Sequence, residues 1–117
     1  MEATRRLNHV LFRAQDEEEW LLIGCYPTED AGLCVYQASA GALTAWCFGS
    51  PLRVVEIQIA PRSTAELINY FRVETISQLC SMFTLIFGDC DGALGIERLL
   101  ERLELPYSVV ECPIFEG

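Results

Sequence analysis

The chain has 117 residues, half of them apolar, and a formal charge of −9. That length and apolar content fit one folded domain spanning 1–117 and exclude a disordered chain. The negative field disfavours nucleic acid and anionic membrane as partners and favours a basic protein surface.

The opening stretch MEATRRLNHV carries two arginines with no apolar run behind them, unlike a secretory leader. No apolar segment reaches the roughly 20 residues that a membrane span needs. The expected location is the cytoplasm.

Ala3, Leu7, Val10, Leu11 and Ala14 recur at helical spacing, which predicts an amphipathic helix over 2–14. The charge run Asp16–Glu19 ends it. Three strand-like runs follow, 19–26, 33–37 and 43–48, separated by Pro-, Asp- and Gly-containing turns, and their close spacing predicts an antiparallel meander. Residues 52–60, LRVVEIQIA, form the clearest strand. Val55, Ile57 and Ile59 face one way and Val54, Glu56 and Gln58 the other.

Ser63 and Glu66 are spaced as a capping box, which predicts a helix from there to about Cys80. The apolar run 82–88 reads as a buried strand, the alternative being a helix that runs through to Phe87. Ile96, Leu99, Leu100 and Leu103 then form a helical stripe, and YSVVEC before Pro113 reads as a last, edge strand. The expected fold is α+β: an N-terminal helix, a four-strand antiparallel meander, then a βαβαβ-like second half completing a mixed sheet.

The six cysteines include no C-x-x-C pair, and His9 is the single histidine. A disulfide framework and a structural zinc site are therefore not expected. Cys25, Cys34 and Cys47 in strand-like runs, and Cys80 in a helix-like one, read as buried free thiols used as small apolar groups. The chain has eight arginines and no lysine. Arg-rich codon usage accounts for that. So does selection against lysine-directed modification, which would suit a viral or delivered protein working in a host-cell cytosol.

The segment IFGDCDGALGIERLL (86–100) runs from an apolar stretch through a Cys-containing turn into a helix. That order is similar to the start of a thioredoxin-like redox domain. Here the second position of the C-x-x-C pair is Ala93, and Asp89 and Asp91 beside Cys90 favour its thiol over its thiolate. The same two carboxylates repel phosphate from the helix start, and the sequence has neither a Gly-rich phosphate loop nor its lysine. A meander ending in RVVEIQIA before a helix is similar to the core of the restriction-endonuclease-like nucleases. Their acid-x-lysine pair reads Glu56-Ile57-Gln58 here, so the metal-hydrolysis signature is incomplete.

No catalytic residue, metal site or cofactor is therefore assigned. Residues 89–117 carry seven acidic residues against two arginines, and Arg5, Arg6 and Arg13 lie near the other end. This polarity predicts a protein-interaction module, a regulatory, adaptor or inhibitor subunit. Its acidic face, carrying Asp89, Asp91, Glu97, Glu101 and Glu104, would meet a basic partner or a second copy head to tail. The alternatives are a small enzyme using the Gly88–Gly92 turn through its thiol or a metal, or an inactive nuclease-fold subunit.

Overall fold

The computed structural model describes residues 8–49 and 52–112. Strand β1 (His9–Gln15) is followed by β2 (Glu19–Pro27), β3 (Leu33–Gly41), helix α1 (Ala42–Phe48) and β4 (Leu52–Ile59). Three helices then run in succession, α2 (Pro61–Phe71), α3 (Ile76–Ile86) and α4 (Gly92–Arg102), before the final strand β5 (Tyr107–Cys112). The sheet order is β1-β2-β3-β4-β5 with every neighbouring pair antiparallel. The α+β class is as expected; the mixed sheet is not.

Local chemistry closes the hairpins. The Asp16 carboxylate accepts from the N–H groups of Glu18 and Glu19, both at 2.8 Å, so the acidic run is the β1–β2 turn. Thr28 donates to Asp30 at 2.5 Å and accepts from the Gly32 N–H at 2.9 Å, which folds the β2–β3 turn. Such side-chain-to-backbone bonds are what make Asp and Thr good turn residues.

Ile23, Cys25, Leu33, Val35, Ile57 and Ile59 point to one face of the sheet and are buried there. Leu67 of α2, Leu79, Cys80 and Phe83 of α3, and Ile96, Leu99 and Leu100 of α4 complete the same core. The opposite face carries Tyr26, Cys34, Tyr36, Ala38, Val54 and Glu56, as the cross-strand register requires. The alternation expected for 52–60 is therefore present.

Four expectations fail for identifiable reasons. The N-terminal helix is replaced over 9–15 by β1, and its first part, 2–7, lies outside the described residues. A register shift between Val10 and Phe12 lets Leu11 and Phe12 both pack on the core. A bulge of this kind breaks the period of two and imitates helical spacing. Residues 43–48 fall in α1 rather than a strand: the chain leaves β3 at Gly41, whose φ of 134° only glycine adopts readily, and Thr44 donates to the carboxylate of Glu19. Cys47 is accordingly exposed, whereas Cys25, Cys34 and Cys80 are buried free thiols.

The single helix expected from Ser63 to Cys80 is two helices. Helix α2 starts earlier, with Pro61 in its first turn, and ends at Arg72 in the left-handed conformation (φ 58°). Ser63 donates to the Pro106 carbonyl instead of capping. The working cap is Thr75, which accepts from the Gln78 N–H at 3.1 Å while Gln78 accepts from the Glu74 N–H at 2.6 Å. From there Ile76, Leu79, Cys80 and Phe83 run at i, i+3, i+4 and i+7. Most of the expected strand at 82–88 therefore continues α3, and both parallel crossovers vanish with it. Strands β4 and β5 are joined through three helices and pair antiparallel.

Candidate protein-binding surface

Asp89, Cys90 and Asp91 lie in a helix-to-helix turn, since no strand precedes them. The Asp89 carboxylate accepts from the Asp91 N–H at 2.9 Å, and the Asp89 carbonyl accepts from the Gly92 N–H at 3.0 Å. Asp91 occupies the N-cap position, as expected, but its side chain makes no cap bond. Gly92 is required: a Cβ there would stand 2.1 Å from the Phe87 carbonyl oxygen. The turn is thus a tight joint between α3 and α4, with Cys90 on its exposed outer side.

Helix α4 buries Ala93, Ile96, Leu99 and Leu100; of the stripe read from the sequence, Leu103 is the C-cap and only partly buried, and Ala93 is added. The remaining positions set the surface. Leu94, Glu97 and Glu101 share one flank of α4 (positions i, i+3 and i+7), beside β5. Glu101 accepts from the Tyr107 hydroxyl at 2.7 Å, tying the helix to the first residue of that strand. This bond to a carboxylate pushes the Tyr107 phenol up to about 12.

Val109 and Glu111 follow Tyr107 on the same face of β5, and Glu111 pairs with Arg53 of β4 at 3.3 Å. A cleft of about 230 Å³ opens between α4 and the sheet, bounded by Val35, Val55, Leu94, Glu97 and Val109. Leu94 is 45 % exposed and Val109 50 %. The surface is therefore apolar at its centre, with Glu97, Glu101 and the Arg53–Glu111 pair around it.

Of the residues singled out in the sequence, Glu97 and Glu101 come together on this flank. Asp89 and Asp91 stand at the N-terminal end of α4, and Glu104 lies just past its other end, at φ 58°. Sequence reasoning missed Arg53, Leu94, Val109 and Glu111. The alternation of Tyr107, Val109 and Glu111 was a usable signal for β5. Their meeting with α4 depends on how β5 pairs with β4.

A second, wider groove of about 620 Å³ lies at one end of the opposite sheet face, lined by Tyr26, Asp30, Cys34, Glu56, Gln58 and Ser108. Its chemistry is quiet. Burial, above all, pushes the Cys34 thiol up to about 11, and contact with Cys34 raises the Tyr26 phenol. A thiol held protonated is a poor nucleophile at neutral pH. Glu56 and Gln58, the positions compared with a nuclease pair, bond to each other at 3.1 Å. Among the described residues no three of His, Cys, Asp and Glu are placed to hold one metal ion, and no helix is long and apolar enough to cross a membrane.

The fold thus defines an α+β protein built on a five-stranded antiparallel meander with α2, α3 and α4 packed on one face. No protein-family model, curated protein or solved structure matches the chain.

Proposed function

We propose that the protein is a non-catalytic interaction module that binds a basic protein partner on the flank of α4 and β5. The observation that carries this reading is the exposure of Leu94 and Val109 beside the carboxylates of Glu97 and Glu101. An apolar centre supplies the favourable burial, and the charged rim steers and selects the partner. The net charge of −9 supports the same sign of partner.

The test is site-specific photocrosslinking in the native host. A crosslinking side chain at position 94 or 109 is expected to capture one partner. Capture should fall about tenfold or more with the Glu97→Arg/Glu101→Arg pair, and should weaken as salt rises toward about 0.5 M. Trp46 and Leu85, 84 % and 81 % exposed, provide control positions on α1 and α3. Equal capture from the controls, or capture indifferent to charge reversal, overturns the assignment.

A further inference from the structure

The two edges of the sheet are not equivalent. Edge strand β1 shifts register between Val10 and Phe12, and a bulge is a device that spoils an edge for further pairing. Edge strand β5 pairs with β4 over six consecutive residues, Tyr107 to Cys112, without a shift. Its outer side carries no further strand among the described residues. Its central valines point to opposite faces, and both stay on the surface, Val109 at 50 % and Val110 at 38 %. A regular edge with exposed valines, left unpaired among the described residues, is a template for one more strand.

From these features we infer that the partner binds by adding an extended segment to β5, with apolar residues alternating with basic ones. This deepens the proposed function and rests on it. An added strand would lie about 4.8 Å beyond β5, its side chains alternating between the two faces. Those on the helix side would lie beside Val109, toward the flank of α4 where Glu97 and Glu101 stand. Lys or Arg is long enough to reach back to those carboxylates, with its alkyl stem over Val109 and Leu94. Side chains on the other face would extend the row begun by Val110, which suits valine or isoleucine. Main-chain bonds would supply affinity, and the alternation would supply specificity.

The probe is a ten-residue synthetic peptide alternating Lys and Val, with blocked ends, added to the full chain. Two further versions carry N-methyl groups on alternate residues, one set along each edge of the peptide. Only one edge can pair with β5. One methylated version is therefore expected to lose at least about tenfold in affinity, while the other binds like the parent. Amide hydrogen exchange should slow at residues 107–112 on binding, and Glu97→Arg/Glu101→Arg should weaken the parent peptide. Equal binding of all three peptides, unchanged exchange in β5, or no binding overturns strand addition. Crosslinking from positions 94 and 109 would still stand in those cases, leaving a partner that docks through side chains alone. Slowed β5 exchange that depends on protein concentration without peptide would assign the edge to a second copy, and also overturns the proposal.

Discussion

Tyr107 and Glu101 show how one pair can join a helix to an edge strand. The hydroxyl donates to a carboxylate at 2.7 Å, and ionising the phenol would set two negative charges against each other. The folded phenol therefore titrates at about 12 rather than near 10. Because the folded value is raised, its contribution to stability is complete below about pH 10 and is lost as the pH climbs through 12. Tyr26 is also held up, through Cys34, so Tyr107 is best isolated by difference from Tyr107→Phe. Glu101→Gln is expected to bring the Tyr107 transition down toward 10 in an ultraviolet titration of phenolate. An unmoved transition would remove Glu101 as the cause.

Among the elements, α3 carries an aromatic cluster. Phe83 is fully buried and meets Phe71 and Phe87 edge to face, at centroid distances of 6.1 and 5.4 Å. Phe83→Ala should cost about 3–5 kcal/mol, a large part of the 5–15 kcal/mol or so that holds a typical domain. A thermal melt should show a midpoint lower by on the order of 10–20 °C. A drop of only a degree or two would mean that the cluster repacks freely. Yet α3 was read from the sequence as half helix and half strand. The run MFTLIFG is apolar enough for either, and the Ile76–Phe83 stripe that decides between them starts only after the break at Arg72. The elements that were legible carry their own signals: β2 and the first half of β3 by apolar runs between turn residues, β4 by alternation, α4 by its leucine stripe, β5 by the valines before Pro113. Strand β1 and helix α1 were not, because a bulge and the Thr44–Glu19 contact decide them. The candidate site divides in the same way. Glu97 and Glu101 were readable from helical spacing, whereas Val109 and Arg53 join them only through antiparallel pairing of β5 with β4.

At the scale of the whole molecule, the cysteines report on the fold. Cys47 and Cys90 are exposed, while Cys25, Cys34 and Cys80 are buried. A thiol reagent should reach Cys47 and Cys90 in the native protein, Cys90 slowly because of its flanking carboxylates, and reach the three buried thiols only in denaturant. Fast labelling of Cys25 or Cys80, which touch in the core between β2 and α3, would contradict this packing. The sheet itself has strands in chain order, so β1 to β4 pair with partners made just before them. The last pairing is different. Ile59 and Tyr107 are register partners, yet α2, α3 and α4 all lie between them in the chain. As the polypeptide is synthesised, the meander and its helices come first, and the loop that brings in β5 closes at the end. A strand that joins last at an edge is also among the first to loosen in local openings. A guest strand along β5 would act as a clasp, fastening the seam between β4 and the strand that pairs with it across three helices.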